Sequence, residues 1–299
     1  MSSVVSCHLM GGLGNQLFQI FATISYGMDA GRVIVFPFTP GITTGPHQRP
    51  TYWNNFLKSF LLFTTNNPTN NPTNKITNEV LYSFPVINEP GFTYNKIPHA
   101  INNQAILLHG YFQSYKYFKH NQATLFSMLK LDQWHIDIRR EHFSGENATG
   151  VNVSMHFRIG DYQAIQHAHP VLPCQYYENA IREMRSRLGQ TYIRILYFCE
   201  AQDRQIVETV IAKLKSKFAD IKFVNVDSTI PDWKQMLMMS CCHHNIIANS
   251  TFSWWGAYLN RNPDKIVCYP NKWFGPALAN KPTDDLFPPE WYKISCDLT

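Results

Sequence analysis

"VNVSMHFRIGDY", residues 151–162, decides how the rest of the chain is read. Its first half is a short apolar run. Its second half sets a histidine, an arginine and an aspartate around one glycine. Charges at the end of a strand are costly to desolvate without partners, so this stretch reads as a strand whose carboxyl end meets an anion or an ion pair. Working outward, the same pattern recurs. Strands are predicted over residues 151–156, 193–198, 222–226, 245–248 and 265–269, with helical periodicity between them. Tyr177, Ile181, Met184 and Leu188 form one apolar stripe, and Val207, Ile211 and Leu214 a second. A third helix starts near Pro231, with Ser228 or Thr229 as its cap, and carries Trp233, Leu237 and Met238. A short fourth covers residues 252–259. Strands alternating with helices imply a parallel sheet joined by right-handed crossovers.

The polar residues fall on one edge of that scheme. His156, Arg158 and Asp161 follow the first strand, Glu200 the second and Asp227 the third; Asn249, Ser250 and Thr251 follow the fourth. All lie at carboxyl ends, where open α/β sheets bind ligands. The first half of the chain opens with a strand at residues 4–10 and a glycine turn. A helix with Leu17, Phe21, Ile24 and Met28 on one face follows, and Gly31 can cap its end. Further strands are predicted at residues 33–36 and 106–108, the latter before "HGYFQSYKYF". Between them the pattern blurs, and "TTNNPTNNPTN", residues 64–74, reads as an exposed loop.

At 299 residues and 44% hydrophobic the chain can bury a sizeable core. A net charge of +5 without a Lys/Arg run suits a phosphate-bearing small ligand and argues against a nucleic-acid partner. Seven cysteines without a CxxC pair read as reduced thiols. Neither a signal peptide nor a membrane-length apolar run is present. The expectation is therefore a cytoplasmic protein, or one held at a membrane through a segment outside this chain. Sequons at Asn147, Asn152 and Asn249 carry little weight without secretion.

Four groups of residues can carry chemistry. In "NSTFSWW" a strand leads through small polar residues into a helix. Its backbone amides, with the hydroxyls of Ser250, Thr251 and Ser253, form a cradle suited to a phosphate. The competing reading is N-capping by Asn249 or Ser250. Trp254 and Trp255 stack on a sugar or belong to the core. Arg158 offers a fork of donors to a pyrophosphate, or pairs with Asp161 or Glu200. His156 is a base, a hydrogen-bond donor or a wall residue; Asp161 accepts a proton from a hydroxyl nucleophile, orients Arg158 or caps a turn. In "GGLGNQ", Gly11, Gly12 and Gly14 permit close backbone approach, and Asn15 and Gln16 add neutral donors; the alternative is a tight strand-to-helix turn. This is neither a P-loop nor a full dinucleotide fingerprint. No metal is expected: "HAH" (His167, His169) lies in a loop, "CCHH" (Cys241 to His244) lacks matching ligands, and Asp284–Asp285 reads as solvated. Tyr111, Phe112 and Tyr115 either stack on a sugar or are core.

Taken together, "MGGLGNQLFQ", "HFRIGDY", "YFCE" and "IIANSTFSWWGAYL" resemble the α-1,2-fucosyltransferases of glycosyltransferase family eleven. The match runs from Met10 to about Trp273, weakest over residues 41–92. The resemblance implies an α/β fold of GT-B type: two Rossmann-like lobes with parallel sheets facing a cleft. Residues 1–150 would form the acceptor-side lobe and 151–299 the GDP-sugar lobe. It implies GDP-fucose as donor substrate, a glycan acceptor, no metal and no cofactor. Arg158 matches the arginine on the donor pyrophosphate, and residues 249–253 match the phosphate cradle. Glu200 and Asp227 are placed to meet guanine or ribose. Gly12, Gly14 and Asn15 match the turn of the first lobe that faces the donor. The implied reaction inverts C1 of β-L-fucose as an acceptor hydroxyl attacks, with His156, Asp161 or Asn15 in contact with that hydroxyl. One departure stands out: the family reads HxRRGDY, and this chain has Ile159 in place of the second arginine.

Overall fold

A computed structural model describes residues 3–43, 48–66, 76–98, 104–143, 150–189 and 191–297. The chain divides into two compact units. The first is Met1–Asp132 with Pro282–Phe287, the second Gln133–Lys281 with Pro288–Thr299.

The first unit contains β1 (Val4–Cys7), α1 (Leu13–Asp29), β2 (Val33–Ile34), β3 (Gly41–Ile42), β4 (Arg49–Pro50), α2 (Asn78–Tyr82), β5 (Val86–Asn88), β6 (Ile106–His109) and α3 (Gln122–Leu129). Its parallel sheet has the order β2–β1–β6–β5, and β3 and β4 form a separate antiparallel pair. Leu17, Phe21 and Ile24 are buried as their spacing requires, but Met28, in the last turn of α1, is 38% exposed. The opposite side of α1 is covered too: Gln16, Gln19, Thr23 and Ser25 are all fully buried. Thr23 Oγ1 donates to the Gln19 carbonyl at 2.7 Å and Ser25 Oγ accepts from Asn121 Nδ2 at 3.0 Å, while the two glutamines bond loop backbone. Gln19 exchanges both bonds with Met10, accepting from its N–H at 2.8 Å and donating to its carbonyl at 3.2 Å. Gln16 Nε2 donates to the carbonyls of Gly11 and Pro50 at 3.0 and 2.9 Å. A single amphipathic stripe cannot show this, because buried amides with backbone partners mimic a solvated face.

The strand expected at residues 33–36 is shorter than its apolar run. Phe36 joins Thr64 through one isolated bridge, so Thr64 is buried rather than exposed; residues 67–74 of the Asn-Pro stretch lie outside the described residues. Asp285 is not solvated either. It pairs with Lys116 and accepts from the Tyr94 N–H at 3.0 Å, while its carbonyl accepts from Ser114 Oγ at 2.7 Å. These bonds attach residues 282–287 to the first unit.

The second unit holds most of α4 (Leu131–His142), then β7 (Val151–His156), α5 (Cys174–Leu188), β8 (Ile193–Phe198), α6 (Arg204–Lys217), β9 (Lys222–Asn225), α7 (Asp232–Cys241), β10 (His244–Ile246), α8 (Thr251–Tyr258), β11 (Val267–Pro270) and β12 (Tyr292–Ile294). The sheet is wholly parallel in the order β9–β8–β7–β10–β11–β12. β7 and β8 match the predicted limits residue for residue. β12, three residues beside a Pro-rich stretch, was not predicted. Every residue of β8 is buried, as an internal strand covered on both faces requires. The core joins Val153, Met155, Ile195 and Tyr197 of the sheet to Tyr176, Ile181 and Met184 of α5 and Val207 and Ile211 of α6.

Pro231, not Ser228 or Thr229, caps α7. The Asp227 carboxylate takes the Thr229 N–H at 2.9 Å, which spends those residues in a turn before the helix begins. All seven cysteines are free thiols. His243 and His244 act as backbone acceptors, Nδ1 of each taking an N–H, from Asn152 at 2.9 Å and Ile266 at 3.0 Å. Among the described residues no group of three or more His, Cys, Asp or Glu could hold a metal ion, and no helix is long and apolar enough to cross a membrane. The sequons at Asn152 and Asn249 are buried; Asn147 lies outside the described residues.

Candidate functional site

In the second unit the strand order reverses direction between β7 and β10: β8 and β9 extend one way, β11 and β12 the other. At such a switch point the crevice outside the carboxyl ends is the ligand position of an open α/β sheet. The two segments that leave it are residues 157–162 and 247–253.

Beyond β7 the alternation of the strand continues. Phe157 packs on Tyr177 with ring centroids 4.2 Å apart, and Ile159 is 5% exposed within the apolar cluster. Arg158 therefore points the other way. Its guanidinium bonds Glu200 through one terminal nitrogen and Asp161 through the other, and lies 4.9 Å from the ring centre of Tyr162. Burial works against the charge, but Tyr162, Asp161 and Glu200 outweigh it and raise the guanidinium above its ordinary range. The ion-pair alternative for Arg158 is thus realised with both carboxylates together, at two of its five donors.

The turn at Gly160 is built for that contact. Gly160 has φ +28°, and a Cβ there would lie 3.2 Å from Glu200 Oε2. Its N–H donates to Asp203 Oδ2 at 2.8 Å. Asp203, a buried carboxylate that sequence reading missed, fixes the turn that aims Arg158. Tyr162 was also missed as a site residue. Its hydroxyl donates to the Asn249 carbonyl at 3.2 Å, which joins the two segments, and its ring stacks on His169 at 4.9 Å. The signal for both was present but ambiguous, since aspartate and tyrosine near strand ends serve caps and cores as often as sites.

His156 is 8% exposed, and its Nδ1 has no hydrogen-bond partner. Burial first, and the charge of Arg158 second, push its imidazole down to about 3, so it stays neutral near pH 7.

The segment after β10 is mostly satisfied internally. Asn249 Nδ2 donates to the carbonyls of Pro170 at 2.9 Å and Trp273 at 3.3 Å, while its Oδ1 is buried without a partner. Ser250 caps α8, its Oγ accepting from the Phe252 N–H at 3.3 Å. Ser253 Oγ accepts from the Ala248 N–H at 3.2 Å. Thr251 is half-buried in the first turn. Trp254 and Trp255 are fully buried and pack against Tyr258 and Trp291, so they are core and not a stacking platform. Asp227 sits exposed at the end of β9 in its own turn, which holds its carboxyl below the usual range through the Thr229 bonds. The structure thus brings His156, Arg158, Asp161 and Glu200 together, links them to Asn249 through Tyr162, and leaves Asp227 outside this contact network.

The glycine turn belongs to the first unit. Gly11 has φ +74°, and a Cβ there would strike Asn15 Nδ2 at 2.5 Å, so only glycine fits. Gly12 caps α1 in extended conformation, Gly14 is buried in the first turn, and Asn15 Oδ1 accepts from Gln113 Nε2 at 3.0 Å. Phe112 and Tyr115 are buried; Tyr111 is exposed.

Comparison with known proteins bears on the family and the fold. Over 304 residues, 98% of this chain and 99% of the relative, the sequence is 25% identical to an α-1,2-colitosyltransferase of Escherichia coli. Over 143 residues it is 40% identical to the O-antigen biosynthesis glycosyltransferase WbnK of Escherichia coli; this covers 47% of the chain and 44% of that relative, less than half its length. A mutant of Arabidopsis thaliana FUT1 in complex with GDP superposes with a TM-score of 0.51 at 10% identity, over 90% of this chain and 70% of that one. That likeness shows the fold, which is of GT-B type with parallel sheets in both units. The family described as Glycosyl transferase family 11 matches residues 56–295. The chain belongs to glycosyl transferase family 11.

Proposed function

We propose that this chain is an inverting glycosyltransferase that moves L-fucose from GDP-β-L-fucose to a hydroxyl of a glycan acceptor, the 2-hydroxyl of a galactose or a similar sugar. The observation that carries the reading is Arg158: a largely buried guanidinium at the β7/β10 switch point, inside the family match. As the glycosidic bond breaks, negative charge grows on the β-phosphate, and a preorganised cation there acts most strongly in the transition state. In this reading the phosphate replaces Asp161 or Glu200 as a partner of Arg158, and backbone amides of residues 249–253 share the charge. No metal and no cofactor is needed.

His156, neutral at physiological pH, serves as a hydrogen-bonding wall and is too weak a base to deprotonate a hydroxyl. Asp161 and Asn15 are the remaining candidates for contact with the acceptor hydroxyl. Glu200 and Asp227 are available to guanine or ribose. With Ile159 packed in the core, turnover rests on one guanidinium in this segment.

A second reading follows from the full-length relative named for colitose transfer. Colitose is L-fucose without its 3-hydroxyl, so the same arginine and amides would serve a GDP-colitose donor. A third, non-catalytic binding of GDP-sugar or glycan, is separated by the same experiment. Purified protein is incubated with GDP-fucose or GDP-colitose and a set of galactosides, GDP release is followed, and the product linkage is read by NMR. Acceptor-stimulated GDP release with an α-1,2 product supports the proposal; tight donor binding without turnover on any acceptor overturns it. Activity should survive EDTA, and a complete, metal-reversible loss would defeat the metal-free mechanism.

A further inference from the structure

The carboxyl edge of the first unit's sheet carries a row of polar side chains that no part of the donor chemistry uses. Strand register pairs Asn88 with His109 and Cys7 with Leu108, which places His8, His109 and Asn88 side by side at the ends of β1, β6 and β5. The His8 and His109 rings lie 5.4 Å apart, and His109 Nδ1 is 3.0 Å from Asn88 Oδ1. With Nδ1–H donating to that oxygen, Nε2 of His109 is left as an acceptor and the Asn88 amide as a donor. Tyr82, 44% exposed, meets the His8 ring edge-on at 5.5 Å. Nδ1 of His8 is buried and has no hydrogen-bond partner.

The turn that follows β6 is held in an unusual shape beside this row. Glu89 Oε2 accepts the N–H groups of Tyr111 at 2.8 Å and Phe112 at 2.9 Å. A Cβ on Gly110 would overlap Glu89 Cβ at 2.3 Å, and the buried Phe112 adopts φ +51°. Left-handed backbone at a bulky residue persists only where its surroundings impose it, and such positions cluster at functional sites.

We propose that His8, His109 and Asn88, with Tyr82 as an aromatic wall, recognise the hydroxyls of a neutral pyranose and so select the acceptor sugar. The inference rests on the glycosyltransferase reading above and adds the residues that choose the acceptor. Nε2 of His109 offers an acceptor, the Asn88 amide a donor and the His8 imidazole one of each, and a tyrosine face suits the C–H side of a sugar ring. None of the four residues is a lysine, an arginine or a carboxylate. Burial, and then the charge of His109, lower the His8 imidazole further from protonation. A phosphorylated ligand would find no fixed cation among them.

The test uses the whole protein with methyl β-D-galactopyranoside as probe. The imidazole C–H resonances of His8 and His109, assigned with His8→Asn and His109→Ala variants, are followed during titration, and transfer kinetics are measured in parallel. The expected result is displacement of both resonances by the galactoside. His109→Ala should raise the acceptor KM about tenfold, with the donor KM moving less than twofold, and His109→Gln should recover part of the loss. His109 is exposed at a strand end, so its variants should keep the fold. Unmoved resonances at a galactoside concentration that saturates transfer would overturn the proposal while leaving the enzyme reading intact. If no donor supports transfer, the enzyme reading fails and the resonances decide the saccharide site by themselves: displacement upholds it, silence ends it.

Discussion

The two units use parallel strands in different ways. In the second, six strands form one ladder, β7 and β8 pair over six residues, and helices cover the sheet with regular apolar stripes. In the first, β2 is two residues long, β5 is three, and α1 is held by glutamines bonded to loop backbone. Cooperative ladders with alternating helices write themselves into local hydrophobic period. A sheet held by side chain–backbone bonds between distant loops does not, because its stabilising partners are far apart in sequence. The second unit should therefore respond to changes in packing and charge at the β7 turn, and the first to loss of single polar clamps.

The sharpest way to break this contrast is Ile159→Arg. Ile159 is in the second unit's core, so an arginine there buries an unpaired charge and should cost about 3–5 kcal/mol. A drop in the urea midpoint of the second unit's unfolding checks it; an unchanged midpoint would mean that the segment can turn its side chains outward. Arg158→Ala, one residue earlier, should do the reverse. It removes about 3 kcal/mol or more of transition-state stabilisation, roughly a hundredfold or greater fall in kcat, with the circular dichroism spectrum preserved. Normal rates would show that the anion is held elsewhere.

Asp203→Ala leaves the Gly160 N–H without its acceptor. It should cost about 1–3 kcal/mol in thermal unfolding and slow turnover through a misplaced Arg158. If stability falls and kcat does not, Asp203 holds the fold but does not aim the guanidinium.

Acid provides a fourth comparison. The folded state keeps His156 neutral down to about 3, whereas the unfolded chain protonates it near 6.5. The unfolded state therefore binds more protons between these values, and stability must fall as pH drops through that window and stay level above it. At pH 5.5 the loss from His156 is about 1.4 kcal/mol. Buried His244, held down to about 4, adds a loss of its own, so denaturant titrations at pH 7.5 and 5.5 should show a loss in His156→Gln that is smaller than that of the wild type by the His156 contribution. The smallest effect is expected in the first unit. Asp285→Ala removes the carboxylate that takes the Tyr94 N–H and pairs with Lys116, a partly exposed contact worth about 1 kcal/mol. Faster amide exchange at Tyr94, with none at β7, is the matching measurement.

Much of the site was legible from residues alone. The apolar run at 151–156 with Arg158 behind it, Glu200 after the next strand and Asn249 after a later one all fall where a parallel sheet must place them. Less legible was what each side chain does there. Ser250 and Ser253 spend their hydroxyls on the α8 turn, Trp254 and Trp255 are core, and Asp227 closes its own turn. Each of these residue types fits a cap, a core or a site equally well, and sequence spacing does not distinguish them. Asp203 and Tyr162 escaped notice for the same reason, since their roles exist only through Gly160 and Asn249, 43 and 87 positions away.

By itself, then, the order of residues determined the alternation of strand and helix, the edge on which charge gathers and the family to which the motifs point. Those properties follow from periodicity and from the handedness of parallel crossovers, which are local. Only the tertiary structure decided that Arg158 rests between two carboxylates, that Ile159 faces the core, and that His8, His109 and Asn88 stand in one row. Such contacts depend on strand order and register, and these are set by packing across the whole sheet.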